Sequence, residues 1–215
     1  MSIYLRAFSI LKRVVPLHLC IVNNDKQKQK NMTRLNALNP DQASGKAKEL
    51  FTAINGKLGM VPNMMRTMGN SPALLGAYLN FSGSLAEGTL GAKLGTLIAL
   101  TVAEANQCQY CASAHAFIGK NLNGLDDTRI EAARRLGNID PKTNAALAFA
   151  YKLVEKRGHV TDSDVNAVLS AGFSQGEVGE IVGHVALNTF TNYFNNTANT
   201  VVDFPKVELL ETAAV

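Results

Sequence analysis

The stretch L-I-A-L-T-V-A-E-A-N-Q-C-Q-Y-C-A-S-A-H, Leu97 to His115, carries the reading of this chain. From Ala92 to Asn106 the sequence is apolar on most sides, through Leu94, Leu97, Ile98, Leu100 and Val102, the pattern of a helix buried in a core. Cys108 and Cys111 follow, three residues apart, with His115 four further on. At roughly 100° per residue, a helix continuing to about Asn121 puts both thiols and the imidazole on one face. A thiol pair that can close into a disulfide, beside a base that can make a thiolate, outlines a redox or peroxide-reducing centre. Glu104 joins that face if the helix is continuous and would serve there as a proton carrier. A helix junction at A-N-Q-C would disturb that geometry, and alone Glu104 reads as an exposed carboxylate near a helix end.

Haem, zinc and plain burial each account less well for the Cys108–Cys111–His115 group. A c-type haem site needs histidine directly after the second cysteine, where this chain has Ala112. Zinc needs a fourth ligand, and only His18, Cys20, His159 and His184 remain to supply it. Two buried structural cysteines beside an unrelated histidine form the plain alternative. No metal and no cofactor is expected.

At 215 residues the chain suits one domain with a substantial core. It is 47% hydrophobic, yet no uninterrupted apolar run is long enough to cross a membrane. Three cysteines argue against a secreted disulfide scaffold and suit a reducing compartment, which points to the cytoplasm. The net charge of +4 is unevenly spread. Residues 1–31 carry six basic side chains against Asp25 alone, leaving 15 basic and 16 acidic residues for the rest. The body is therefore not basic, and a nucleic-acid role has no electrostatic support. Residues 1–31 fail as a secretory signal, because the apolar region is interrupted by Lys12, Arg13 and Pro16. They lack the strong Ser/Arg bias of an organellar presequence. Translation is expected to begin at Met32, with residues 1–31 a disordered or artefactual extension and residues 32–215 the domain.

Helix signals dominate from residue 40 onward. The spacing predicts helices over Asp41–Lys57, a short one opened by Pro62, one started by Ser71-Pro72, the core helix and the motif helix. Further helices are expected from Asp126 or Asp127, from Asp140-Pro141 to Gly158, from Thr161 to Gly172, and from the capping box Ser174-Q-G-Glu177 to about Asn196. Pro205 and the V-E-L-L-E-T-A-A-V end read as a loosely attached terminus. No stretch sustains period-two alternation, so the expected fold class is all-α. The last helix carries a polar line, Glu180, His184, Asn188, Asn192 and Asn195, without lysine or arginine. Such a line is either a solvent face or a partly buried surface lining a cleft or subunit contact. The missing cations favour burial. His184, Asn188 and Asn192 are thereby weak candidates for substrate binding, with a hydrogen-bonded structural role the simpler reading of His184.

The 97–115 stretch resembles the core of the AhpD-like, carboxymuconolactone decarboxylase superfamily, and more narrowly its peroxidase-related enzymes. G-M-V-P-N at 59–63, S-P-A-L-L-G-A-Y at 71–78 and H-V-A-L-N-T-F-T-N-Y-F-N-N at 184–196 add to the likeness, which spans most of 33–205. The resemblance implies an AhpD-like helical bundle that assembles into homo-oligomers, commonly trimers or hexamers. It implies a thiol peroxidase cycle acting on a hydroperoxide, with an external dithiol as reductant. By position, Cys111 would be the peroxidatic thiol, Cys108 the resolving thiol and His115 part of the proton relay. The family's relay glutamate commonly sits twelve residues before the first cysteine, where this chain has Thr96. Either Glu104 takes its place or the relay is weakened. The superfamily's decarboxylases lack the cysteine pair, which argues against lactone decarboxylation. The rival classes are a zinc-stabilised or structural helical oligomer, and a cysteine-independent lyase.

Overall fold

Capping side chains start most of the helices where the sequence places them. In the computed structural model, which describes residues 33–211, Ser71 accepts a hydrogen bond from the Leu74 N–H and Pro72 stands at the first helical position. Asp126 and Asp140 cap in the same way, and Thr161–Asp164 and Ser174–Glu177 each close a reciprocal capping box. The described residues form α1 (Gly45–Leu58), α2 (Asn63–Met68), α3 (Pro72–Leu85), α4 (Gly91–Ala105), α5 (Gln109–Asn121), α6 (Asp127–Arg135), α7 (Pro141–Glu155), α8 (Asp162–Ser170) and α9 (Gln175–Ala198). No strand occurs among them, so the all-α expectation holds. The expectations for residues 1–31 lie outside the described residues. The first helix starts at Gly45 rather than Asp41, because residues 40–42 make a turn in which Asn39 Oδ1 accepts from the Asp41 N–H.

Helix α4 is the axis of the bundle, buried continuously from Gly95 to Glu104. It packs against α5, α6, α7 and α9. One apolar cluster gathers Leu97, Ile98, Leu100, Leu147, Phe149 and Ile181 between α4, α7 and α9. A second joins Phe51, Met64, Met68, Leu75, Ala103 and Tyr110 to both motif cysteines.

The turn between α4 and α5 decides the site. Gln107 takes a left-handed backbone (φ 50°), the Gln107 N–H donates to the Glu104 carbonyl, and the Cys108 N–H reaches back to the Ala103 carbonyl at 2.9 Å. The chain reverses over these three residues, and α5 folds back along α4. An ideal Cβ placed on Gly119 would lie 3.2 Å from Leu125 Cδ1 and 3.3 Å from Thr96 Cγ2, so α5 and α4 pack closely at this glycine.

The C-terminal segment differs from its expected loose attachment. Residues 201–211 form a strap held at several points. The Asn63 N–H donates to Asp203 Oδ2 (2.7 Å), the Val207 N–H to Ser113 Oγ (3.0 Å), and the Leu210 N–H to Glu104 Oε2 (3.0 Å). Phe204 packs edge-on against Tyr110 and tilted against Phe117. No period marks such a strap in the sequence, because its partners lie about 90 to 140 positions away. Among the described residues, no helix is long and apolar enough to cross a membrane.

Candidate active site

Both motif cysteines stand at the N-terminus of α5, and this follows from the α4–α5 turn. Cys108 is the N-cap residue, and its Sγ accepts from the Cys111 N–H at 3.3 Å. Cys111 lies one turn in, so both sulfurs sit where unsatisfied amides and the positive end of the helix dipole favour a negative charge. The two are disulfide-bonded, with Cα atoms 5.3 Å apart. Cys108 is fully buried and Cys111 is 3% exposed. They belong to the apolar cluster that also holds Met64 and Tyr110 and against which Val202, Phe204 and Leu209 of the strap pack.

His115, one turn beyond Cys111, hydrogen-bonds the Asn188 side chain across to α9. The Asn188 amide nitrogen is itself committed to the His184 carbonyl at 2.8 Å, which leaves its Oδ1 to accept from the imidazole. Though a little of the ring still meets solvent, the surrounding protein strips it of most of its hydration. Desolvation pushes its pKa down to about 4, helped by the nearby His184 and opposed by Asn188. At neutral pH His115 is therefore uncharged.

The polar line of α9 is buried. His184, Asn188, Asn192 and Asn195 are each under a tenth exposed, and Asn195 donates from Nδ2 to Cys111 Sγ at 3.3 Å. Asn192 Oδ1 accepts from Asn106 Nδ2 (3.1 Å) in the turn that precedes Cys108. His184 lies against Gly95 of α4, where a Cβ would come within 2.9 Å of its ring, and burial lowers its pKa. Glu180, at the head of the line, instead accepts from the backbone N–H groups of Thr89 and Leu90 just before α4. Asn195 belongs to the line readable in the sequence, but its pairing with a sulfur depends on how α9 crosses α5.

Glu104 does not join the sulfurs. Because the helix breaks at Gln107, its carboxylate turns instead to Arg134 of α6, with Arg134 Nε at 2.6 Å from Oε1, while Oε2 takes the Leu210 N–H. Both side chains of this ion pair are buried. Arg134 also donates to Glu131 and to the Glu208 carbonyl, so the pair clamps the strap to the bundle. Thr96 is fully buried, and its hydroxyl accepts from Asn123 Nδ2 at 2.7 Å. No group of three or more His, Cys, Asp or Glu side chains among the described residues is placed to hold a metal ion; His18 and Cys20 lie outside them.

An all-helical bundle with a buried cysteine pair at the start of one helix is AhpD-like in its fold. The resemblance read from the sequence is borne out at that level. The carboxymuconolactone decarboxylase family model matches residues 72–156, from the start of α3 to the end of α7 and including both cysteines. No curated protein matches the chain. Among solved structures, the chain is similar to an uncharacterised peroxidase-related protein with an alkylhydroperoxidase AhpD core from Ralstonia eutropha JMP134. The two share 22% identity over 80% of this chain and 92% of that one, with a TM-score of 0.72. A second peroxidase-related protein, from Silicibacter sp. TM1040, is 24% identical over 78% and 92%, with a TM-score of 0.68. The debrominase Bmp8, in a cysteine-to-alanine form bound to 2,3,4-tribromopyrrole, is 22% identical over 80% and 92%, with a TM-score of 0.68. At these identities the likeness is one of fold.

Proposed function

We propose that the chain is a thiol-dependent hydroperoxide reductase whose cycle runs on Cys111, Cys108 and His115. The observation that carries this reading is a closed Cys108–Cys111 disulfide at a helix N-terminus, with a neutral imidazole one turn beyond Cys111. In the reduced enzyme, His115 takes the Cys111 proton. The thiolate attacks the outer oxygen of the hydroperoxide and the O–O bond breaks. The alkoxide leaves as an alcohol with the proton that His115 returns, and Cys111 becomes a sulfenic acid. The Cys108 thiol displaces the hydroxyl as water and closes the disulfide. An external dithiol then reduces the disulfide and is itself oxidised.

Glu104 supports the cycle from a distance, by fixing the strap that packs against the cluster holding both cysteines. His184, Asn188 and Asn192 line the same buried seam and are the substrate-facing side chains of this reading. The protein works in a reducing compartment, the cytoplasm, as a homo-oligomer. Phe81 on α3 and Val182 and Tyr193 on α9 leave apolar surface exposed that suits such assembly. The test is consumption of tert-butyl hydroperoxide with dithiothreitol as reductant. Activity lost in both Cys108→Ser and Cys111→Ser supports the reading. Turnover of a small ring lactone that survives both replacements would select the cysteine-independent lyase, and stoichiometric zinc without peroxide turnover would select the structural oligomer.

A further inference from the structure

We propose that Asn195 and Asn192 form an amide cradle at Cys111, in which Asn195 Nδ2 holds the sulfur and the remaining amide atoms hold the O–O–H group of the hydroperoxide. The inference deepens the proposed peroxidase function and rests on it. Asn195 Nδ2 lies 3.3 Å from Cys111 Sγ, while its Oδ1 is buried with no hydrogen-bond partner. Asn192, one turn earlier on the same face of α9, is fully buried, and its Nδ2 likewise has none. Buried amide atoms without partners are rare in folded proteins and call for a function or a ligand.

The orientation of each amide is fixed from the other end. Asn192 Oδ1 accepts from Asn106 Nδ2, so turning the amide would set two donors face to face. Asn106 is itself held, its carbonyl accepting from Asn196 Nδ2 at 3.0 Å. Asn195 Nδ2 is committed to the sulfur, which as a thiolate is a better acceptor than as a thiol. The free amide atoms on this face of α9 are thus one acceptor, Asn195 Oδ1, on the residue that meets Cys111, and one donor, Asn192 Nδ2, one turn before it. A hydroperoxide offers the matching set, a hydroxyl that donates and oxygens that accept. A ligand such as a pyrrole, with a ring N–H donor and no comparable acceptor, would satisfy only Asn195.

The cradle also distinguishes the two cysteines. Both sulfurs feel the α5 N-terminus, but Cys108 Sγ meets a backbone N–H of its own helix, whereas Cys111 Sγ meets a side-chain donor from α9. As the thiolate attacks, the peroxide hydroxyl donates to Asn195 Oδ1 and an oxygen accepts from Asn192 Nδ2. After O–O cleavage, the sulfenic S–O–H keeps its bond to Asn195 Oδ1 until Cys108 expels water.

The experiment uses the full chain with Cys20→Ser and Cys108→Ser, so that Cys111 is the single thiol, read by thiolate absorbance against pH and by its rate with tert-butyl hydroperoxide. His115, His184, Tyr78, Tyr110 and Asp203 are titratable groups lodged in this part of the core, and they are the same in every variant compared. Asn195→Ala is expected to move the Cys111 titration up by about one pH unit, a tenfold loss of thiolate below that point. Asn195→Ser, which keeps a donor, is expected to recover part of the shift and guards against a variant that fails to fold. Asn192→Ala is expected to leave the titration in place and slow the reaction per thiolate about tenfold. An unchanged titration in both Asn195 variants overturns the sulfur contact, and an unchanged rate per thiolate in Asn192→Ala overturns the peroxide site. A titration shift in a protein that never reacts with the hydroperoxide supports the sulfur contact and overturns both the peroxide site and the peroxidase reading.

Discussion

Replacing Glu104 by glutamine separates its two conceivable roles, a proton carrier beside the thiols and a clamp on the C-terminal strap. The carboxylate and Arg134 are buried, at 7% and 8% exposure, and sit 2.6 Å apart. Removing one partner of a buried pair costs about 3–5 kcal/mol, because the other charge is left uncompensated. Arg134 keeps Glu131 at 2.9 Å and the Glu208 carbonyl, and glutamine can still accept the Leu210 N–H, so the loss here is about 2 kcal/mol. For a domain of this size that lowers Tm by about 4–8 °C. The strap should loosen with it, and dithiothreitol should reduce the Cys108–Cys111 disulfide several-fold faster. Thermal unfolding of the oxidised protein and a stopped-flow reduction assay read the two effects. A double-mutant cycle with Arg134→Met isolates the pair, with a coupling of about 1–3 kcal/mol expected. If Glu104→Gln unfolds within about 1 °C of wild type while its peroxide step slows and changes pH profile, the clamp is wrong and Glu104 carries protons.

The same geometry sets three more expected outcomes. His115 is held at a folded pKa of about 4 against an ordinary 6.5, so the unfolded chain binds more protons between those values and stability falls as pH drops through that window. By pH 5 the loss is at most about 2 kcal/mol, discounted for the ring's residual solvent contact, and His115→Gln should flatten the difference between urea midpoints at pH 7 and pH 5. Phe204→Ala removes the ring contacts with Tyr110 and Phe117 from a half-buried position. It should cost about 1–2 kcal/mol and open the disulfide to reductant, read by chemical denaturation and thiol release. Gly95→Ala drives a methyl to within 2.9 Å of the His184 ring. A loss of about 1–3 kcal/mol, with a shifted His184 resonance in the NMR spectrum, is the expected result.

Much of the fold was legible because its signals are local. Ser71, Asp126, Asp140, Thr161 and Ser174 each cap the helix that follows them, through bonds spanning three residues, and a linear reading finds such bonds directly. The Cys108–Cys111–His115 spacing survives for the same reason, since all three sit on or at the cap of one helix. The α4–α5 break was harder to fix. Glycine or asparagine usually marks a left-handed turn residue, and here glutamine takes that conformation. With the helix broken, the face shared with Glu104 disappears, and the partner it gains instead is 30 positions away. The buried polar line of α9 could be read as a line, and its lack of lysine and arginine pointed inward correctly. Which of its asparagines meets which sulfur depends on the crossing of two helices 84 positions apart in sequence. The strap carries no periodicity, so nothing in its composition distinguished a held segment from a loose one.

The central claim is that Cys108 and Cys111 perform a peroxide-driven thiol–disulfide cycle, and a thiol count tests it most directly. Fully reduced full-length protein, with three thiols per chain, is treated with one equivalent of tert-butyl hydroperoxide, alongside Cys111→Ser. The account predicts that the wild type loses two thiols to an intramolecular 108–111 disulfide, while the variant does not react. Three thiols persisting in the wild type, with the hydroperoxide unconsumed, would contradict it.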